Sequence, residues 1–168
     1  MIEARRLLAI AEDLVGRAKS GPTSQTSLRR AISTAYYALF HHIVSSAADA
    51  LVGRRYRRSP RYAMIYRAFE HRRMREVSGL LDRAILKEKA NAALGMVAPS
   101  SDIRDVAATF SNLQEQRHWA DYDPLGKVSR SEVRDLIEQA ELAMRALDHI
   151  PSNDRKNLLV FLMTSARG

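Results

Sequence analysis

The chain has 168 residues and a net charge of +8, and 46% of its residues are hydrophobic and 27% charged. This length and composition suit one globular domain with its own core and exclude a disordered chain. Apolar runs are too short to span a bilayer, and the N-terminus is amphipathic rather than a signal peptide, so we expect a cytoplasmic protein without membrane contact. There is no cysteine, which excludes disulfides and thiolate metal sites.

Apolar residues recur with helical spacing along the chain and no segment predicts a strand, so we expect an all-α fold. A first helix is predicted over residues 2–19, where the following Ser-Gly-Pro ends it. A second helix is predicted from Ser24 or Ser27 to about Val52, which is unusually long.

The second helix carries different residues on two opposite sides. Its apolar side consists of Leu28, Ile32, Ala35, Tyr36, Leu39, Phe40, Ile43 and Ala47. The other side is a polar stripe of Arg30, Thr34, Tyr37 and His41. A solvated stripe does not need a guanidinium, a phenol and an imidazole in register, so we interpret it as a partner surface or the wall of a site.

The third helix is predicted to begin after Gly53, with Ser59 as its N-cap and Pro60 at its first position. A charged run interrupts its apolar spacing. We therefore expect either one bent helix or two short ones with a break near His71 to Gly79.

Residues 87–100 are predicted to form a loop of moderate length. A fourth helix is predicted from Ser101 or Asp102, both of which are suitable caps, to the Asp-Pro pair at residues 123–124.

The chain after this pair is predicted to add a fifth helix and a short terminal one. The capping box Ser129-x-x-Glu132 predicts the start of the fifth helix, and the last helix is expected over residues 155–163. We expect the helical bundle to occupy residues 1–150 and a short helix or tail to occupy residues 151–168.

The apolar stripe of the fourth helix changes character towards its end. One turn further along the stripe, Gln114, Arg117 and Asp121 replace apolar residues, and such a local break in a pattern points to a site. Because Arg117 and Asp121 are four residues apart, they are also expected to form an intrahelical ion pair. Two interpretations stay open: Arg117 has only this structural role, or it also clamps a phosphate opposite the polar stripe.

The excess of basic residues is concentrated between Arg54 and Arg75, where nine arginines and three tyrosines occur. Guanidinium groups match phosphate oxygens and tyrosine rings stack on bases, so this segment favours a nucleic acid or another polyphosphate as partner. The alternatives are a solvated surface or a patch that meets an acidic protein. The arginines expected to form the rim of a phosphate site are Arg54, Arg55, Arg57, Arg58 and Arg61.

Other chemistries find little support. The sequence contains no GxGxxG, P-loop, HExxH or GxSxG motif, and we predict no cofactor. We also predict no metal site, because Asp121 and Asp123 at a helix end are typical of capping and turns. His41 and His42 are candidates for general acid or base, with a structural role as the alternative.

Two segments together resemble the HEPN superfamily of small helical-bundle proteins. SLRRAISTAYYALFHHIV (27–44) and LQEQRHWADYDP (113–124) have the order and separation of the branch with an S-x-AYYA-x-FH helix and an R-x-x-ADY helix. The resemblance extends from the first helix to about residue 148. It implies an up-and-down four-helix bundle core with additional short helices, and a homodimer that pairs near the motif helices.

The resemblance also implies a range of activities. Many HEPN proteins are metal-independent endoribonucleases, some of them toxins paired with a small nucleotidyltransferase-like antitoxin, and others bind RNA or nucleotides or act as scaffolds. In the nucleases an arginine is followed, after about four to six residues, by a histidine that assists proton transfer at the ribose 2′-OH while the arginine stabilises the phosphate. Arg117 matches the arginine, but Tyr122, Asp123 and Pro124 stand where the histidine is expected.

We therefore expect a HEPN-like protein that binds RNA or a nucleotide and belongs to a toxin–antitoxin type of pair. The residues expected to line its cleft are Arg30, Tyr37, His41, Arg117, Asp121 and Tyr122. The first alternative is a metal-independent endoribonuclease that uses Arg117 with His41 or Tyr122. The second alternative is a non-catalytic scaffold whose arginines meet an acidic partner protein.

Overall fold

The computed structural model describes residues 2–16, 23–81 and 85–164, except for the side chain of Lys89, and over these ranges it contains helices and turns but no strand. The α-helices are α1 (Ala4–Gly16), α2 (Gln25–Leu51), α3 (Pro60–Arg67), α4 (His71–Leu81), α5 (Glu88–Leu94), α6 (Ser101–Tyr122), α7 (Arg130–His149) and α8 (Ser152–Thr164). A 3-10 turn, Arg54–Tyr56, links α2 to α3. The predicted all-α fold is confirmed. No helix in these ranges is long and apolar enough to cross a membrane.

The bundle consists of α1, α2, α6 and α7, which pack on one another. The side chain of Gln25 at the start of α2 exchanges two hydrogen bonds with the backbone of Val128, just before α7, so these two helices begin at the same end. Ser33 in the first half of α2 instead meets Asp121 at the end of α6, so α6 runs in the opposite direction. Thr23 Oγ1 donates to the Val15 carbonyl and joins the end of α1 to the start of α2. Successive long helices therefore alternate in direction.

Helix α2 is the central element, because it contacts α1, α3, α6, α7 and α8. All eight residues of its predicted apolar side are buried. Its polar stripe is also partly covered, since α3 packs along this side: Thr34 is buried and Tyr37 and His41 are half-buried, whereas Arg30 is exposed.

Most helix starts follow the predicted capping chemistry. The hydroxyls of Ser24 and Ser59 accept hydrogen bonds from the first turns of α2 and α3, and Ser129 and Glu132 form the capping box of α7. Helix α6 begins at Ser101, within the predicted start, but its cap is Ser100 rather than Ser101 or Asp102. Helix α1 begins at Ala4, two residues after its predicted start, and residues 17–19 of that prediction lie outside the described ranges.

The segment between α2 and α6 corrects two predictions. The third predicted helix is divided into α3 and α4, but the break falls at residues 68–70, just before the predicted region. The predicted loop 87–100 contains α5, which ends at Gly95 in the left-handed conformation (φ 67°). Helix α5 forms because Leu86, Ala90 and Leu94 are buried and α8 provides a surface for this segment.

Helix α8 begins three residues before its predicted start and docks on α2, α4 and α5. Its apolar side chains, including Leu158, Leu159 and Leu162, belong to the same buried cluster as those of the bundle. The terminal helix therefore completes the core of this chain.

Candidate functional site

Two tyrosine–histidine pairs lie side by side where α3, α4 and α6 meet the polar stripe of α2. We call Tyr36, Tyr37, His41, Tyr66 and His71 the Tyr–His cluster. Its position follows from the local chain path, because the break after α3 buries Phe69 and places His71, the first residue of α4, against α2.

The first pair joins α2 to α4. Tyr36 is fully buried, and its hydroxyl oxygen lies 2.5 Å from Nδ1 of His71. The His71 ring stacks on Phe40 with centroids 4.0 Å apart and meets the edge of Tyr37 at 6.0 Å. The imidazole is therefore held on two sides by aromatic rings and at Nδ1 by a hydrogen bond.

The second pair joins α2 to α3. The Tyr66 hydroxyl oxygen lies 2.5 Å from Nδ1 of His41, and the two rings stack with centroids 5.7 Å apart. Tyr37 stacks on the same imidazole at 6.2 Å. Tyr37 thus lies between the two histidines and is in contact with both.

Burial makes both histidines poor bases. It lowers the pKa of His41, with a smaller contribution from His71, and it lowers the pKa of His71, with a smaller contribution from the charge of Arg117. Both rings are therefore neutral at pH 7. Because the Tyr36 hydroxyl has no other acceptor among the described residues, it satisfies both groups by donating to Nδ1, which leaves the His71 proton on Nε2.

Arg117 of α6 approaches the cluster from the other side. Its Cζ lies 5.7 Å from the centre of the Tyr37 ring, and its Nε lies 2.8 Å from Oδ2 of Asp121. The predicted ion pair is confirmed, although this buried Nε has no partner at hydrogen-bond geometry. Ser33 donates to the other Asp121 oxygen at 2.7 Å. Asp121 therefore orients the guanidinium and is not itself a group that binds an anion.

The structure brings together only some of the residues expected in one cleft. Tyr37, His41, Arg117 and Asp121 are linked by the contacts above. Arg30 is exposed, two turns before Tyr37, and forms no ion pair with another described residue. Tyr122 is 67% exposed and packs on the ring of the exposed His118, away from the cluster.

Sequence reasoning missed His71, Tyr36 and Tyr66. His71 is predicted only to lie at a break in the third helix, and Tyr36 is predicted to lie on the apolar side of the second helix, where its ring does lie. The one signal in the sequence that points to His71 is the charged run that interrupts the apolar spacing of the predicted third helix, and it does not identify the partner.

The basic segment forms a rim beyond Tyr66, and its arginines differ in whether they contact a carboxylate. Asp49 accepts hydrogen bonds from Nε and a terminal nitrogen of Arg57, at 3.0 and 2.6 Å, and from the Tyr62 hydroxyl at 3.1 Å. Burial pushes the pKa of Asp49 up, but these hydrogen bonds outweigh it and the net pKa is lowered. Arg54 lies 3.4 Å from the same carboxylate. Asp49 therefore neutralises much of the charge of Arg57.

The remaining rim arginines point outwards. Arg55 and Arg61 flank the ring of Tyr56, with Cζ 4.7 and 5.0 Å from its centre, and Arg58 is exposed. Asp49 and Tyr37 are twelve residues apart on α2, so about 18 Å of helix separates the carboxylate of the rim from the tyrosine that contacts Arg117. The rim and the cluster lie on neighbouring parts of one surface.

The other candidates have structural contacts. Oδ1 of Asp123 accepts from the backbone N–H groups of Leu125 and Gly126, which is the predicted turn-making role and lowers the pKa of its carboxyl. Trp119 packs against Gly126, and Arg29 lies over its ring. No group of three or more potential metal ligands occurs among the residues that the structure describes.

Comparison of the chain with protein-family models, with curated proteins and with solved structures finds no match. The resemblance to HEPN proteins therefore rests on the two sequence segments alone.

The lowered histidine pKa values predict acid sensitivity. Unfolding restores an ordinary pKa of about 6.5 to His41 and His71, so the unfolded chain binds more protons below that pH. Their contribution to the free energy of unfolding is complete above about pH 6.5 and declines as pH falls through the lowered native values. Carboxylates such as Asp49 change the free energy of unfolding only at lower pH, near and below about pH 4. Urea denaturation should give a lower free energy of unfolding at about pH 5.5 than at about pH 7.5, and the difference should be smaller in a His41→Asn, His71→Asn double variant. The same difference in both proteins would contradict the prediction.

Proposed function

We propose that this HEPN-like protein binds RNA or a nucleotide at the Tyr–His cluster, with Arg117 as the phosphate-binding residue. The observation that carries the proposal is the setting of Arg117. Its Nε faces Asp121, whereas the rest of the guanidinium is next to Tyr37, and a quarter of the side chain is exposed. A guanidinium whose orientation is fixed at one edge presents its other donors to a phosphate.

The neighbouring groups support the same ligand class. The half-buried ring of Tyr37 provides a partial surface on which a base can stack, and the His71 imidazole has Nε2–H as a donor for phosphate oxygens. The exposed arginines of the rim, Arg55, Arg58 and Arg61, add positive charge along the same surface. A polynucleotide would use both parts, whereas a mononucleotide would use only the cluster.

A binding titration tests the proposal. Fluorescence anisotropy with a labelled RNA oligonucleotide should show affinity that falls steeply as salt rises, because phosphate contacts release counterions. Arg117→Ala removes charge-assisted hydrogen bonds and is expected to weaken binding by about 10- to 100-fold. Competition with unlabelled ATP distinguishes a nucleotide ligand from an RNA ligand.

Arg145→Ala is the matched control. Arg145 also forms an ion pair with a carboxylate one turn away, Glu141 at 2.7 Å, but it lies on α7. Its loss should leave binding unchanged. Affinity that does not depend on salt, or an equal loss in both variants, would contradict the proposal.

A second candidate function is metal-independent RNA cleavage, and His71 is the observation that favours it. The histidine absent from the expected position on α6 has a spatial substitute on α4, close enough for Arg117 to lower its pKa. With Nδ1 taken by Tyr36, the neutral ring has a proton on Nε2 and cannot accept another there. His71 would therefore act as a general acid after protonation, and only a minor fraction is protonated at pH 7.

The resemblance further supports three proposals about the setting of the protein: a homodimer, a nucleotidyltransferase-like antitoxin partner and a cytoplasmic location. Exposed Tyr122 and Leu125 at the end of α6 provide apolar surface next to a motif helix, which suits pairing there. Sedimentation of the purified protein tests the dimer.

A further inference from the structure

Residues 54–67 form one segment that carries the arginine rim and α3, and α2 is the helix on which this segment mainly packs. Just before it, Gly53 has φ 99°, a backbone conformation that residues with a side chain rarely adopt, so α2 does not continue through this position. Just after it, the chain turns at residues 68–70 before α4 begins. The segment is therefore joined to the bundle by a turn at each end.

Apolar burial contributes little to the docking of α3. Of its eight residues, all of which the structure describes, Tyr62 alone is buried, whereas fourteen residues of α2 are buried. Ile65 and Tyr66 are partly buried, and Met64 is 72% exposed. A region with few buried apolar contacts opens at a lower free energy than a core helix does. We therefore expect α3 to separate from α2 while the bundle stays folded.

Hydrogen bonds from two tyrosines hold α3 on α2. The Tyr62 hydroxyl donates to Oδ1 of Asp49 at 3.1 Å and lies 3.3 Å from the Ser45 carbonyl oxygen. The Tyr66 hydroxyl is hydrogen-bonded to Nδ1 of His41. When α3 moves away, bonds to water replace these bonds, so the net contribution of each is small. The contacts that keep α3 in place are thus ones that open and form again.

The docked position of α3 limits the surface that the proposed function assigns to a base. The ring of Tyr37 stacks on His41, with centroids 6.2 Å apart, and it also contacts His71 and Arg117. Tyr66 in turn holds His41 through its hydroxyl and through its stacked ring. The face of Tyr37 that His41 covers becomes available to a base only when Tyr66 releases that imidazole.

We propose that residues 54–67 form a lid over the Tyr–His cluster, held closed by the Tyr62–Asp49 and Tyr66–His41 hydrogen bonds, and that the ligand binds the open form. This inference rests on the proposed function, since it assigns the regulation of the same site. The apparent affinity for a ligand that binds only the open form is reduced in proportion to the fraction of molecules that are open. Loss of a bond that holds the lid closed should therefore strengthen binding.

Tyr62→Phe tests the lid through binding. It removes a hydroxyl outside the cluster, keeps the buried ring and leaves the charge of the rim unchanged. Loss of one hydrogen bond should raise the open fraction, and with it the affinity for a labelled RNA oligonucleotide in fluorescence anisotropy, by about two- to tenfold. Tyr122→Phe is the matched control, because that tyrosine is exposed at the end of α6, and its affinity should equal that of the wild type. Unchanged or weaker binding by Tyr62→Phe overturns the lid.

Hydrogen exchange measured by mass spectrometry tests the lid without any ligand. A helix of eight residues is too short to persist alone in water, so opening of the lid exposes the amides of α3 to exchange. These amides should exchange faster than those in the middle of α2. Tyr62→Phe should accelerate exchange in residues 54–67 by about two- to tenfold and leave exchange in α7 unchanged. Equal protection of α3 and α2, or exchange that Tyr62→Phe does not change, overturns the lid.

The two measurements separate this inference from the proposed function. If the wild-type protein does not bind the RNA, the proposed function fails, and hydrogen exchange still decides whether the segment opens. If the wild-type protein binds and Tyr62→Phe changes neither affinity nor exchange, the lid fails and the proposed function stands. Faster exchange without stronger binding describes a segment that opens without controlling the site, and it also overturns this inference.

Discussion

If the protein cleaves RNA, replacing His71 with Asn is expected to slow the cleavage by about 10²–10⁴-fold while RNA binding stays close to that of the wild type. The Asn side-chain oxygen can accept the Tyr36 hydroxyl that Nδ1 of His71 accepts, and its amide still offers a donor towards the ligand. The amide cannot deliver a proton. The variant thus separates proton transfer from binding, and cleavage of labelled RNA in EDTA, measured beside anisotropy, checks it.

The pH dependence of cleavage provides an independent reading. If His71 acts as a general acid, the rate in the wild type should rise as pH falls from about 8 towards the lowered pKa of His71, because the protonated fraction grows. His118→Asn is the matched control, since that exposed histidine is adjacent to Arg117 in the chain but packs on Tyr122. Wild-type protein without cleavage, or cleavage that survives in His71→Asn, would exclude this candidate function.

The helices were predictable because their signals are local. The serine caps of α2, α3 and α7 and the apolar side of α2 depend on side chains within one or two turns, which sequence displays directly. Helix α5 was missed because its stability depends on contacts with α8, which is distant in the sequence. For example, the side chain of Asn157 donates a hydrogen bond to the carbonyl of Leu94, more than 60 residues earlier. Periodicity within a short window contains no information about such a partner.

In the candidate site, too, the local contacts were predictable and the long-range contacts were not. The Arg117–Asp121 pair is one helical turn long and was expected from spacing alone. The Tyr36–His71 contact joins residues 35 apart, and it depends on where the chain turns between α3 and α4. A rule that searches for a histidine downstream of an arginine tests only one helix, so it cannot find a histidine supplied by another.

Replacing Tyr36 with Ala is expected to lower the free energy of unfolding by about 3–5 kcal/mol, the range for loss of a large aromatic side chain from a core. The side chain is fully buried and lies against Phe110, with ring centroids 5.6 Å apart, so its removal leaves a cavity. Urea denaturation measures the loss. Tyr122→Ala is the control, since that tyrosine is 67% exposed and its loss should change stability by no more than about 0.5 kcal/mol.

Tyr36→Phe separates the hydroxyl from the ring. It keeps the packing and removes one hydrogen bond, so a smaller loss of about 0.5–1.5 kcal/mol is expected. The Tyr36 hydroxyl donates to the neutral form of His71, and its removal should therefore raise the pKa of that imidazole, which NMR titration of the histidine ring detects. An unchanged pKa would show that burial and the charge of Arg117 keep His71 neutral without the Tyr36 hydroxyl. A raised pKa would show that α2 controls the protonation of a residue on α4, which connects the core of the bundle to the chemistry available at its surface.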